Sequence, residues 1–204
     1  VDTPGLDDAR RIAELERKIA VYLRRTQGKH SGWPLFHDGE FDMSASLKAY
    51  FALKMIGDPI DAAHMVRARE AMRSRGGAAR ANVFTKLMLA LFGFIPWRAV
   101  PSMPVEIMLF PKWFPFHLDK ISYWSRTVIV PLLVLMALRP RARNPKNIRI
   151  DELFIEPPQT LGPAQKAPQQ RALWFWFFRA ADNGLRLTEP IFSKLSRQRA
   201  IECA

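Results

Sequence analysis

The order of polar and apolar positions in the first hundred residues predicts alternating charged and apolar helices. Apolar residues recur at helical spacing from Ile12 to Leu23, with arginine and lysine between them, and this helix ends before Gly28. A more apolar helix begins near Ser44, a residue type that caps helix N-termini, and ends at Gly57. The first hundred residues thus start with one charged and one apolar helix.

The same order then repeats. A charged helix over 61–75 ends at a double glycine, and an apolar helix over 82–92 ends at Gly93. The two glycines that close the apolar helices, Gly57 and Gly93, lie 36 residues apart. A repeat of this length made of helix pairs predicts a solenoid or a closed α/α barrel with the apolar helices inside. The periodicity leaves both shapes open.

The second half of the chain has a different pattern. Val128–Leu138 is apolar throughout but includes Pro131, and its 11 residues fall short of the about 20 that span a bilayer, so a buried core helix is expected. Six prolines follow within 139–170. We therefore expect three parts: helix-pair repeats over 1–138 with a proline-rich segment at 101–118, a basic proline-rich connection over 139–170, and helices over 171–204.

A run of six consecutive large apolar residues is the outstanding feature of the last part. Such a run surrounds a helix on all sides, so one buried face cannot cover it. Arginines flank it, and tryptophan favours the membrane–water interface. We expect a helix that lies in one leaflet without crossing it, with a buried inter-domain helix as the alternative. The expected membrane contacts are Leu173, Trp174, Phe175, Trp176, Phe177 and Phe178.

The net charge of +12 indicates an anionic partner, either nucleic acid or a membrane surface. One basic concentration directly follows the most apolar run, which favours the membrane: Arg139, Arg141, Arg143, Lys146 and Arg149. A second set lies along the third helix without aromatic residues for base stacking, so nucleic acid is not expected: Arg67, Arg69, Arg73, Arg75 and Arg80. A non-enzymatic helical-repeat module that binds acidic partners through this second set stays an alternative.

The chain offers few residues for metal, cofactor or nucleophilic chemistry. Its four histidines, His30, His37, His64 and His117, have no ligand spacing, and Cys203 is the single cysteine. The double glycine after the third helix lacks the Lys-Ser/Thr of a phosphate loop. We expect no metal and no bound cofactor.

The segment 104–126 carries the clearest resemblance. Three prolines bracket bulky apolar residues, which predicts a rigid extended connection, and a helix with Trp124 follows. Together with Gly32-Trp33-Pro34-Leu35-Phe36, residues 42–54 and Asn82-Val83-Phe84-Thr85, in this order, it resembles the squalene–hopene cyclases. The resemblance implies an all-α fold: a partial α/α barrel, a toroid of helix pairs, from the inserted second domain of a triterpene cyclase.

The resemblance also implies an activity. The family folds linear squalene into pentacyclic hopene by a cation cascade, an isomerisation without cofactor, in monotopic enzymes at the cytoplasmic face of the membrane. The aspartate of its Asp-x-Asp-Asp motif protonates the substrate, and no such motif occurs here. We expect the acid in the remaining C-terminal part, and no activity from this chain alone. Expected partners are squalene, anionic lipid, that C-terminal part and, as an open option, a second copy. A cyclase of oxidosqualene or another polyprenoid is the alternative.

Four residues of this chain match site positions of that family. Trp124 and Phe84 match aromatics of the substrate cavity, and Ile121 and Ile129 match the constriction of the substrate channel. A carbocation needs electron-rich surfaces that do not quench it, and aromatic faces provide about 0.5–2 kcal/mol per contact. The competing interpretation is that all four are ordinary core residues.

Overall fold

The protein is described by a computed structural model over residues 6–114, 117–162, 176, 180, 183–184 and 194–204. These ranges contain helices and short 3-10 turns and no strand. The α-helices are α1 (Leu6–Thr26), α2 (Met43–Ile56), α3 (Ala63–Ser74), α4 (Val83–Leu91), α5 (Tyr123–Leu138) and α6 (Lys194–Glu202). The 3-10 turns are Ala78–Arg80, Trp97–Ala99, Val105–Leu109, Leu118–Lys120, Asp151–Leu153 and Pro158–Thr160.

The chain divides into two compact units. The first comprises Val1–Ile95 and Arg143–Leu161, and the second Pro96–Ala142 and Gly162–Ala204. The division into parts 1–138, 139–170 and 171–204, which the sequence pattern predicts, stays a prediction. Among the described residues, none of the helices combines the length and apolarity that crossing a bilayer requires.

Helix α2 is the centre of the first unit. It packs against both α1 and α3, and Leu47, Tyr50 and Leu53 on it are fully buried. The Phe51 ring meets the rings of Phe92 and Phe94 edge-on, at centroid distances of 5.1 and 5.3 Å. Edge-to-face pairs of this kind add to the stabilisation that burial provides. The apolar second helix therefore lies inside the first unit, as its sequence predicts.

Helix α1 packs differently. Ala20 near its C-terminal end is buried, but the apolar stripe of the sequence pattern stays 41–58% exposed in the residues that the structure describes: Ile12, Leu15, Ile19 and Tyr22. The helical spacing of these residues is as predicted, whereas a buried face is absent from the described packing. The spacing therefore predicts helix α1 correctly but does not predict which residues pack against its apolar stripe.

The N-terminal caps of α2 and α4 correct one expectation. Asp42, and not Ser44, caps α2, because the Asp42 carboxylate accepts a hydrogen bond from the Ala45 N–H at 2.7 Å. Ser44 instead lies buried in the first turn of α2, and its hydroxyl accepts from the Asn82 N–H at 2.9 Å. The Asn82 side chain caps α4 in turn. Ser44 thereby joins the starts of both apolar helices.

Residues 143–161 add a core layer to the first unit that the sequence pattern did not indicate. Ile150, Leu153 and Phe154 are buried. Gly77, at φ 70°, faces this layer, and a Cβ there would lie 2.8 Å from the Leu153 carbonyl oxygen. The close approach therefore requires glycine. The Arg73 guanidinium donates to the carbonyls of Glu152 and Phe154 at 2.9 and 3.1 Å.

The second unit has its core where α5, α6 and the turn Val105–Leu109 meet. Val105, Leu133 and Ala200 are buried there. Pro104 precedes the turn with an extended backbone, but the 3-10 turn Val105–Leu109 departs from the rigid extended connection that the proline-rich pattern predicts. Helix α5 is capped by Ser122, tolerates Pro131 on an exposed position, and ends at Arg139 in the left-handed conformation, φ 46°. Most of the predicted interfacial run 173–178 lies outside the described residues. Trp176 alone is described, as helical and 62% exposed.

Candidate functional site

Trp124 lies on the first turn of α5, in the second unit. The Ser122 hydroxyl accepts a hydrogen bond from the Ser125 N–H at 3.2 Å, which fixes where this turn starts. The indole is 80% exposed, and its centroid lies 6.3 Å from that of Tyr123 in an edge-to-face arrangement. In this chain Trp124 therefore presents an aromatic face and is not part of the described core.

Phe84 occupies the corresponding position of α4, in the first unit. The Asn82 side chain accepts from the Thr85 N–H at 2.9 Å, so Phe84, like Trp124, is the second residue after the cap. Its ring is 52% exposed, while the next residue, Thr85, is fully buried. The same local geometry thus presents an aromatic ring at the start of one helix in each unit.

The two isoleucines predicted for the channel have other surroundings. Ile121 is half-buried at the end of the turn Leu118–Lys120 and directly precedes the Ser122 cap. Ile129 is half-buried and packs against the cluster of Val105, Leu133 and Ala200. It lies five positions after Trp124 along the helix, which places the two about 140° apart around α5. The side chains of Trp124 and Ile129 therefore leave α5 on different faces.

A buried carboxylate, Asp58, joins three segments of the first unit and was not identified from the sequence. Arg24 of α1 donates to it with Nε at 2.9 Å and also with Nη2, and His64 Nε2 lies 2.6 Å from Oδ2. Hydrogen bonds from the Arg24 guanidinium hold the pKa of Asp58 below its usual value, although burial opposes this. Asp58 and Arg24 are 34 residues apart in sequence, so no local spacing signals the contact.

Replacing Asp58 with asparagine should lower the free energy of unfolding at pH 7 by about 1.5–3 kcal/mol, the usual contribution of hydrogen bonds to charged groups. The lower end is expected because the Arg24 side chain stays half exposed. Because the folded-state pKa is depressed, this stabilisation exists above the unfolded pKa of about 3.9 and disappears as pH falls through the lower folded value. Urea unfolding of the chain from pH 7 to pH 3 should show the difference between Asp58→Asn and wild type shrinking below about pH 4.

The control is Asp38→Asn, since Asp38 pairs with His37 at 2.9 Å in an almost fully exposed position. It should leave unfolding unchanged within about 0.5 kcal/mol. A difference for Asp58→Asn that stays constant from pH 7 to pH 3 would contradict the assignment, because protonation of Asp58 would then be without effect.

Gln27 and Trp33 join the end of α1 to its neighbours. The Gln27 amide donates to the carbonyl of Ser31 at 3.1 Å and to that of His64, in α3, at 2.8 Å. The indole N–H of the buried Trp33 donates to the Leu23 carbonyl at 2.8 Å, which satisfies one of the carbonyls that a helix C-terminus leaves open. Gln27 and Trp33 thus connect the end of α1 to α3 and to the loop that follows α1.

The arginines of the third helix are engaged within the chain. Arg67 donates to the Gln27 side chain at 3.0 Å, Arg69 to the Ile60 carbonyl at 3.3 Å, and Arg73 to two carbonyls of the 143–161 layer. Arg75 lies over the Phe41 ring, 4.4 Å from its centroid. These contacts weaken the alternative of a basic binding face, since most of its predicted residues already hold the fold together.

Comparison with known proteins decides the family. Residues 8–204 match the squalene–hopene cyclase N-terminal domain. The chain belongs to the squalene–hopene cyclase family. It is 64% identical over 190 residues to a squalene–hopene cyclase of Bradyrhizobium diazoefficiens, covering 93% of this chain and 29% of that protein. It is 55% identical to the enzyme of Zymomonas mobilis (92% of this chain, 28% of that protein) and 32% identical to that of Alicyclobacillus acidocaldarius (91% and 29%).

Two sequence predictions are thereby confirmed. The resemblance to squalene–hopene cyclases is correct, and the all-helical described residues agree with the helical N-terminal domain of this α/α-barrel family. The chain spans about three tenths of the length of these relatives. Its site residues Trp124, Phe84, Ile121 and Ile129 stay predictions.

Proposed function

We propose that this chain is the N-terminal portion of an enzyme that cyclises squalene to hopene. The observation that carries the proposal is the match of residues 8–204 to the N-terminal domain of squalene–hopene cyclases, together with relatives of that name at 55–64% identity. The enzyme is an isomerase that works without cofactor, and this portion contributes walls for the substrate rather than the acid that starts the reaction.

The exposed aromatic faces support this role. A cyclising polyene carries its positive charge from ring to ring, and a desolvated aromatic face stabilises a cation by up to about 2 kcal/mol. Trp124 at 80% and Phe84 at 52% exposure have faces available to a hydrocarbon ligand once the rest of the enzyme excludes water. A π face, unlike a carboxylate or a water molecule, does not add to the cation or remove its proton.

Ile121 and Ile129 are proposed to line the channel through which squalene reaches the cavity. Both are half-buried, so one side of each side chain packs against the protein while the other is available to the substrate. Branched aliphatic side chains are chemically inert toward a cation and define the width of a passage by their volume. Both positions belong to the second unit.

Squalene resides in membranes, so the enzyme must meet a lipid surface. We propose contact at the cytoplasmic face through the run 173–178, assisted by the basic cluster Arg139, Arg141, Arg143, Lys146 and Arg149. The exposure of Trp176, the described member of the run, is compatible with this location. Anionic headgroups add about 1 kcal/mol for each lysine or arginine near the surface.

The alternative substrates, oxidosqualene or another polyprenoid, would use the same aromatic walls. Squalene is favoured because the relatives with 55–64% identity are named squalene–hopene cyclases. The non-enzymatic module is disfavoured by the internal contacts of Arg67, Arg69, Arg73 and Arg75.

The direct test compares the 204-residue chain with the full-length protein from the same gene. Incubated with squalene in detergent, the full-length protein should form hopene, and the chain alone should form none above a heat-inactivated control, because no Asp-x-Asp-Asp acid occurs in it. Gas chromatography with mass detection measures both. If the full-length protein leaves squalene unchanged but cyclises oxidosqualene, the substrate is oxidosqualene and not squalene. Turnover by the chain alone would show that the acid lies within it.

A further inference from the structure

A buried carboxylate in the second unit has no role in the proposed chemistry. Glu106 lies in the turn Val105–Leu109 and is 3% exposed. Arg197 of α6 donates to it, with Nε at 3.0 Å from Oε1, across 91 residues of sequence. Burying a charge is costly unless it is paired. Glu106 therefore imposes a strong requirement on where α6 lies against the turn.

The second oxygen of Glu106 makes the arrangement more demanding. Oε2 is buried and has no hydrogen-bond donor among the residues that the structure describes. A cavity of ≈ 20 Å³ adjoins, lined by Glu106, Arg197, Met136, Arg139 and the segment Ser102–Val105. This is room for about one water molecule. Among the described residues, Arg197 is thus the hydrogen-bond donor to the carboxylate, so loss of Arg197 removes the ionic partner that this part of the chain provides.

The pair is part of the same packing as the proposed channel residue Ile129. The turn that carries Glu106 packs against both α5 and α6. Val105, next to Glu106, forms a core with Leu133 of α5 and Ala200 of α6, and Ile129 packs against that core together with Ile107 and Ile201. A shift of the turn relative to α6 must therefore displace the residues behind Ile129, because close-packed side chains transmit displacement.

We propose that the Glu106–Arg197 ion pair is a positioning element for the channel wall: it holds the turn Val105–Leu109 against α6 and thereby fixes Ile129. The proposal rests on the proposed function for the meaning of Ile129, and it assigns to Glu106 no contact with substrate. A hydrophobic contact would hold the same segments with less directional constraint, whereas a buried hydrogen-bonded pair specifies one register.

The test uses the full-length enzyme with Glu106→Gln, which keeps the shape of the side chain and removes its charge. The ionic attraction between position 106 and Arg197 is then lost, and the wall loosens. We expect kcat/KM for squalene to fall about tenfold, mainly through KM, because a displacement below 1 Å has smaller consequences than the roughly 10²-fold cost of a 1 Å misplacement. Arg197→Gln should also lower kcat/KM, whereas Arg197→Lys keeps a cation and should avoid most of that loss. The matched control is Glu14→Gln, which breaks an exposed ion pair with Lys18 (2.7 Å) and should change nothing.

A second measurement separates positioning from folding and from the proposed function. In the full-length enzyme with Cys203→Ser and Ile129→Cys, the rate of alkylation at position 129 by N-ethylmaleimide is followed by peptide mass spectrometry. Glu106→Gln should raise this rate about tenfold at a temperature where circular dichroism shows a folded protein, since local opening controls access. Glu14→Gln should not.

The outcomes are distinct. A lower melting temperature for Glu106→Gln with unchanged alkylation and unchanged kcat/KM overturns the proposal and makes the pair a stability element only. If Glu106→Gln does not fold, Arg197→Lys and Arg197→Gln are compared by the same two measurements, and equal values for both overturn it as well. A wild-type enzyme that does not cyclise squalene removes the proposed function, while the alkylation rates still decide whether Glu106 fixes position 129.

Discussion

Trp124→Ala in the full-length enzyme is expected to shift the products from pentacyclic hopene toward partly cyclised hydrocarbons. The indole is 80% exposed in this chain and sits on a capped helical turn, so its removal should change a surface rather than a core. A cation that loses an aromatic neighbour loses about 0.5–2 kcal/mol of stabilisation, which changes the partition between further cyclisation and early deprotonation by roughly 2- to 30-fold. Product ratios from gas chromatography measure this partition directly.

Two further variants make the Trp124 result specific. Trp124→Phe keeps a π face and should give a milder shift. Tyr22→Ala removes an exposed aromatic residue of α1 in the first unit, 58% exposed, and should leave the product ratio unchanged. If Trp124→Ala lowers the yield of folded protein while the product ratio of the remaining enzyme stays at the wild-type value, the residue is structural and the cavity assignment is wrong.

Replacing Trp174, Trp176 and Phe177 with serine should release the protein from lipid vesicles. Full burial of one large apolar side chain contributes about 1.5–3 kcal/mol, so the triple replacement should reduce the partition coefficient by about 1000-fold or more. Sedimentation with vesicles that contain anionic lipid measures the bound fraction. Added salt should weaken wild-type binding only in part, because screening acts on charges and not on apolar insertion.

The control for this prediction is Leu35→Ser with Phe36→Ser, two strongly exposed apolar residues of the first unit. It should reduce binding little, since it removes apolar surface elsewhere. Loss of helical circular dichroism by the triple variant, together with continued vesicle binding, would identify the run 173–178 as a buried core. The membrane contact would then have to lie elsewhere, first in the basic cluster between Arg139 and Arg149.

The exposed apolar stripe of α1 shows what a sequence pattern can predict and what it cannot. Spacing of three and four residues predicts that Ile12, Leu15, Ile19 and Tyr22 share one helical face, and they do. The same spacing also suggests burial, which the described packing does not show. Amphipathic periodicity identifies an apolar helix face that is available for packing. Which residues pack against that face depends on other parts of the protein.

The starts of α2 and α4 show a similar limit. An acidic or amide side chain beside an apolar run is enough to predict that a helix begins there, and Asp42 and Asn82 both cap. Between Asp42 and Ser44 the sequence alone does not discriminate, since both residue types cap well. The choice is made by the long-range hydrogen bond that the Ser44 hydroxyl accepts from the Asn82 N–H.

The sequence by itself determined the helix pairs, the glycines that close them, the family and the aromatic residues at the two capped turns. These features depend on neighbours within one or two turns, or on motifs that are read in order along the chain. Only the tertiary structure brought Asp58 to Arg24 across 34 residues, joined Glu106 to Arg197 across 91, and buried Ile150 and Leu153 beneath Gly77. Such contacts depend on the path of the intervening chain, and an ion pair between distant residues leaves no periodic signal, because either partner alone looks like one more surface charge.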